Sequence, residues 1–276
     1  MIGGKYRDKV RTYSYIFQPM INSKKNYLDL WQDPEAVAER ALEMVEDGFN
    51  ALKYDPITST HTIKEELAVP PWNLSLEILD MAESTLKAIR EAVGHKCDIL
   101  IGTHGQTTPS AAIKLAKRME PYEPMWFEEP IPPENAKEMA KVARGTSIPI
   151  ATGERLTTVY DFVRLFEEGA VAIIQPDLGC CGGITEFRKI AGMAEAFYIQ
   201  VAPHVWGGPV VTATSIQLDT CLPNFLIQES IYKSNGFFNE LVEEPFVWKQ
   251  GFIIPSDRPG IGIELNEKQL LKYNML

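Results

Sequence analysis

Short apolar, β-branched and aromatic runs alternate with stretches in which apolar positions recur every third or fourth residue, along all 276 residues of the chain. The short runs predict strands over 12–17, 50–53, 98–101, 125–127, 148–151, 171–174, 197–202 and 224–227. The helical period predicts seven segments between them. The first, 33–48, opens on Asp33 as N-cap with Pro34 at the first helical position and stops at Gly48. The second, 73–94, places Leu76, Leu79, Ala82, Leu86, Ile89 and Val93 on one face, and the others lie near 109–119, 133–143, 158–168, 184–196 and 209–219. Strands separated by helices run parallel, so eight strands and seven helices read as a TIM-like (β/α)7β barrel, an α/β fold. An open doubly wound sheet is the alternative. It fits less well, because no glycine-rich phosphate turn follows the first strand and the run GCCGGIT at 179–185 comes after the sixth. The barrel is expected over 1–231, with 232–276, which carries Pro245, Pro255 and Pro259, as a wrap-around extension.

A barrel builds its site at the carboxyl ends of its strands. Strand two ends in Lys53 and Asp55, strand three in Gly102 and His104, and strand four in Glu128 and Glu129. Strand five runs into Glu154 and Arg155, strand six into Asp177, strand seven into His204 and strand eight into Glu229. One glutamate after a strand is ordinarily a solvated loop residue, and one histidine ordinarily a structural one. Here successive polar groups arrive about 25 residues apart, one per βα unit, and solvated loop charges have no reason to keep that phase. Glu128 and Glu154, on adjacent strands, can share one divalent cation, and oxygen-only ligands favour Mg2+. His204 is placed to remove a proton α to a carboxylate while the metal stabilises the enediolate. Asp177 would orient its imidazole and raise its basicity. Lys53, Asp55 and Arg155 are the candidate substrate contacts.

Composition narrows the partners. With 45% hydrophobic and 23% charged residues the chain is an ordinary globular one. Its formal charge of −10 and pI near 5.0 argue against nucleic acid or an anionic membrane surface, and an anionic substrate would need local positive charge, most simply a metal. MIGGKYRDKV is not a secretory leader and no segment has the length of an apolar span, so a cytoplasmic protein is expected. Cys97, Cys180, Cys181 and Cys221 lack zinc-type spacing and read as reduced thiols.

The runs WFEEP, IPIATGERLTT, IIQPDLGCCGGITEFRKIAGMAEA, VAPHVWGGP and LIQES, in that order, resemble the enolase superfamily, in its mandelate racemase/muconate lactonizing branch. They are most similar to acid-sugar dehydratases of the D-galactonate dehydratase type. The resemblance implies that the chain is the C-terminal barrel domain, with Glu128 and Glu154 as the second and third Mg2+ ligands and His204 with Asp177 as the His-Asp dyad. It further implies that Glu229 hydrogen-bonds the substrate carboxylate or enediolate and that His104 protonates the departing hydroxyl, giving a 2-keto-3-deoxy acid from a sugar acid.

Three departures accompany it. The family's first metal ligand, an Asp two residues before that His, is Gly102 here; His104 is then either third ligand or acid, with water filling the gap as a further alternative, and Asp98 is a poorly placed substitute. The racemase Lys-x-Lys reads Lys53-Tyr54-Asp55, which removes a second base and fits a one-base elimination. The family's N-terminal capping domain is not found ahead of the first strand, so an open barrel mouth and self-association into a homo-oligomer are expected. Dehydration of a sugar acid is the leading expectation. An isomerase on the same metal-enediolate platform is the alternative, and a barrel left non-catalytic by Gly102 and the missing cap is the third reading.

Overall fold

The computed structural model describes residues 3–16, 33–57, 73–234 and 236–274. Eight short strands run parallel: β1 Val10–Tyr15, β2 Ala51–Tyr54, β3 Asp98–Gly102, β4 Trp126–Glu128, β5 Ile150–Thr152, β6 Ile173–Ile174, β7 Gln200–Val201 and β8 Gln228–Glu229. Neighbours from β1 to β7 pair in sequence order, and β8 returns to β1 through Thr12 opposite Gln228 and Tyr13 opposite Glu229. Between β7 and β8, Val201 pairs with Phe225, its N–H donating to the Asn224 carbonyl at 2.9 Å and its carbonyl accepting from the Leu226 N–H at 2.8 Å. Those bonds close the ring as the barrel reading requires.

The crossover helices are α1 Pro34–Glu46, α2 Leu76–Val93, α3 Pro109–Met119, α4 Ala136–Arg144, α5 Val159–Glu167, α6 Gly183–Ala196 and α7 Pro209–Cys221. Their starts follow the sequence signals: Asp33, Ser75, Thr108 and Asn135 each accept from an N–H of the first turn. Beyond the barrel come α8 Phe237–Glu240, the antiparallel pair β9 Val247–Lys249 and β10 Phe252–Ile254, and α9 Glu267–Lys272. The β10 strand pairs antiparallel with the start of β1, Val10 opposite Ile253, at the end of the barrel away from the strand termini that carry chemistry. Trp248 fixes that hairpin, packing on Phe49 with ring centres 4.6 Å apart and donating from Nε1 to Thr12 Oγ1 at 3.1 Å.

Strand alternation divides the core into two layers. Leu52, Tyr54, Ile99, Ile101, Phe127, Ile150, Ile174 and Val201 point outward to the helices. Tyr13, Ala51, Leu100, Trp126, Ala151, Ile173, Ala202 and Ile227, one from each strand or its flank, fill the barrel. Bulk on β1 and β4 is offset by alanine on β2, β5 and β7, and Tyr13 meets Trp126 edge to face at 5.3 Å.

Two strand expectations are corrected. β1 begins at Val10 rather than 12, because Val10 and Arg11 pair with the hairpin; Phe17, the last residue of the predicted run, lies outside the described residues. The eighth strand pairs with β1 at Gln228 and Glu229, while the apolar run 224–227 is its approach, joined to β7. Among the described residues no helix is long and apolar enough to cross a membrane.

Candidate active site

Lys53 lies on the inward face of β2, two residues after Ala51 in the barrel filling. Its ammonium is ion-paired with Glu128 on β4, is 3.8 Å from Glu229 on β8, and sits 4.8 Å over the Tyr15 ring. All three charged groups are buried. Glu128 accepts on its second oxygen from Trp126 Nε1 at 3.0 Å. Burial alone would push the Glu128 carboxyl up, but the Lys53 ammonium outweighs it and holds the pKa below the ordinary value.

Across the barrel, Asp177 after β6 receives His204 Nδ1 at 2.6 Å and the Gly179 N–H at 2.6 Å. Those donors overcome burial and keep Asp177 below the ordinary carboxylate range. With Nδ1 so held, His204 Nε2 points toward Glu229 at 3.6 Å and Glu154 at 3.8 Å. Burial pulls the imidazole pKa down, yet Asp177, Glu229 and Glu154 together lift it to about 9. Glu229 is itself fixed by the Val205 N–H, donated at 3.0 Å.

A second histidine is oriented in the same way. His104, at φ +50° in the left-handed region, places Nδ1 3.0 Å from Asp55 and Nε2 3.2 Å from the Tyr15 hydroxyl. Burial lowers its pKa, but the bond to Asp55 raises it further, to about 8. Tyr15 meets Trp206 edge to face at 6.0 Å, so both rings line the same rim as His104.

The residues expected from the sequence thus gather with four differences of role, the first being Lys53, expected at the substrate and here buried in its ion pair with Glu128. Among the described residues no three His, Cys, Asp or Glu side chains form a metal-holding group, so the set Glu128, Glu154 and His104 is not assembled: His104 is turned to Asp55 and Tyr15. Asp55, expected at the substrate, is the partner of His104. Arg155, also expected there, grips the buried Glu129 through two nitrogens at 3.0 and 2.7 Å and reaches the His104 carbonyl at 3.4 Å. Burial and the nearby Glu154 raise the Glu129 carboxyl to about 7, which is why it needs that guanidinium. Tyr15 and Trp206 are not singled out by the sequence, and Glu129, visible there at the end of strand four, carries no role in it. For Tyr15 a signal existed, since alternation puts it on the face of Tyr13.

The carboxyl pair Glu128 and Glu154 is chemically suited to a hard divalent cation. Burial and the Glu128 charge raise the Glu154 pKa, the signature of a carboxylate lacking compensation. Among the described residues, the cationic side chains within ion-pair distance of the four carboxyl groups Glu128, Glu154, Asp177 and Glu229 are Lys53 and His204. Two carboxylates completed by water and substrate suffice for Mg2+.

The model of the family described as enolase C-terminal domain-like matches residues 36–269. The chain is 36% identical over 275 residues to a D-gluconate dehydratase of Thermoproteus tenax, covering 99% of this chain and 51% of that protein. A solved structure from Burkholderia SAR-1, classed with the mandelate racemase/muconate lactonizing enzymes, superposes with a TM-score of 0.90 at 47% identity, over 98% of this chain and 65% of that one. A member of the enolase superfamily from Salmonella Typhimurium superposes with a TM-score of 0.90 at 34% identity, over 99% of this chain and 69% of its own. The chain therefore spans about half the length of the curated relative it matches.

Proposed function

Since this chain belongs to the enolase C-terminal domain-like family, we propose that it carries the site of an acid-sugar dehydratase, a lyase that removes water from a polyhydroxy acid. The observation that carries this reading is the presence of two histidines, each oriented by its own aspartate: His204 by Asp177 and His104 by Asp55. Elimination of water needs a base for the α-proton and an acid for the departing hydroxyl, and separate dyads supply one each. The similarity to a D-gluconate dehydratase supports the same class of substrate.

In this reading His204 Nε2 takes the C2 proton in its neutral form, which a cation held by Glu128 and Glu154 would favour by offsetting the Glu154 charge that helps lift the imidazole to about 9; Asp177 stabilises the imidazolium that forms, and Glu229 lies beside the nitrogen that receives the proton. His104, raised to about 8 and so protonated near neutrality, gives its proton to the C3 hydroxyl as the C–O bond breaks. The enol that results is protonated at C3 and becomes a 2-keto-3-deoxy acid. Glu128 and Glu154 would hold Mg2+, which when bound supplies positive charge for the substrate carboxylate. Asp55 stands where a racemase would need a second lysine, which favours elimination over inversion.

The test is proton NMR of the chain with Mg2+ and a panel of sugar acids, gluconate first, in D2O. A 2-keto-3-deoxy product with deuterium at C3 is expected. Exchange at C2 without elimination would replace this reading with the isomerase.

A further inference from the structure

We propose that Lys53 is the resident cation of the strand-end carboxylate cluster, and that a divalent ion engages Glu128 only by displacing the Lys53 ammonium. The inference deepens the proposed metal-dependent reading and rests on it for the identity of the competing ion.

The register of the barrel forces the geometry. Lys53 on β2 is level with Leu100 on β3, while Glu128 on β4 is level with Gly102. Lys53 and Glu128 are therefore two strands apart, roughly 10 Å between backbones, with β3 between them. The lysine reaches its partner only by lying across the last residue of β3. That residue is Gly102, on the same inward face as Leu100.

A side chain at position 102 would block the path: its Cβ would lie 2.7 Å from Lys53 Cε, 3.6 Å from Nζ and 3.7 Å from the Tyr15 hydroxyl. Real Cβ atoms do not tolerate the first of these, so any other residue there moves the lysine. Gly102 and the Lys53–Glu128 pair form one device.

The device sets a competition. Lys53 is 1% exposed, and a buried ammonium must be paired. Its partners are Glu128 and Glu229, with the Tyr13 and Tyr15 rings 5.8 and 4.8 Å away. Since Trp126 occupies the other Glu128 oxygen, both oxygens already have a donor. An incoming cation gains Glu128 at the expense of the ammonium, whereas among the described residues the cationic side chain within ion-pair distance of Glu154 is the more distant His204, at 3.8 Å.

The experiment is Mn2+ binding, read by the loss of the free-ion EPR signal, to the wild-type chain, Lys53→Met and Gly102→Ala, with folding checked by circular dichroism. Lys53→Met removes the competitor. Gly102→Ala adds no ligand and only pushes the lysine aside. Both are expected to bind Mn2+ at least about tenfold more tightly than wild type. As a check needing no substitution, wild-type chain labelled with 15N at lysine Nζ should show a slowly exchanging ammonium signal that moves on addition of Mg2+. If both variants bind Mn2+ as wild type does, the competition is refuted and the metal reading survives. If none of the three binds at millimolar Mn2+, the metal reading itself falls and the competition with it.

Discussion

The two dyads make separable predictions at the level of single residues. His204→Asn keeps a nitrogen to meet Asp177 but cannot accept a proton, so kcat for dehydration should fall by about 10²–10⁴ and C2–H exchange in D2O should stop. Undiminished exchange would remove His204 as base. His104 acts in its protonated form, and with a pKa of about 8 it is charged at neutral pH, so the rate should decline as pH rises through 8. Asp55→Asn takes away the partner that raises this pKa and should shift the alkaline limb of the kcat profile toward neutral pH. An unmoved limb would assign it to another group. Glu128, Glu154, Asp177, His204 and Glu229 could be picked from the sequence because each closes a strand in phase with the next. The roles of Asp55 and Arg155 could not. Both depend on who is left unpaired after folding: His104 turned at a positive φ toward Asp55, and a buried Glu129 that draws the Arg155 guanidinium.

Among the elements, helices were more legible than strands. Their caps are local, and a helix face of three or four turns repeats its pattern often enough to be recognised. The β6, β7 and β8 strands hold two residues of ladder each, too few for any period, and β8 falls on Gln228 and Glu229, where no hydrophobic signal exists. Connections between elements were also hidden. Glu120, just beyond α3, accepts from Lys117 at 2.9 Å, from Thr146 Oγ1 at 2.8 Å and from the Ser147 N–H at 2.9 Å, tying that helix end to the loop entering β5. The Lys117 ammonium and these donors bring its carboxyl to about 2, below the ordinary 4.5. A depressed pKa stabilises the fold fully above pH 4.5 and less and less as pH falls toward 2. Glu120→Ala should therefore lower Tm by roughly 2–4 °C at pH 7, and the gap to wild type should close as the melts are repeated at lower pH. A gap independent of pH would mean that packing, not charge, is lost.

For the molecule as a whole, the barrel filling and the site are one piece of architecture. Trp126 is the largest fully buried side chain among the described residues, it packs edge to face on Tyr13, and its Nε1 donates to Glu128 two residues on. Removing the indole should open a cavity that the alanines on β2, β5 and β7 cannot fill, so Trp126→Ala should cost about 3–5 kcal/mol. Trp126→Phe keeps most of the volume and deletes only the donor, leaving a buried carboxylate oxygen without its partner at a cost of about 1–3 kcal/mol. Guanidinium unfolding of the two variants separates packing from hydrogen bonding. If the phenylalanine variant is as stable as wild type, the indole nitrogen contributes nothing to holding Glu128, and the link from barrel filling to active site runs through Lys53 alone.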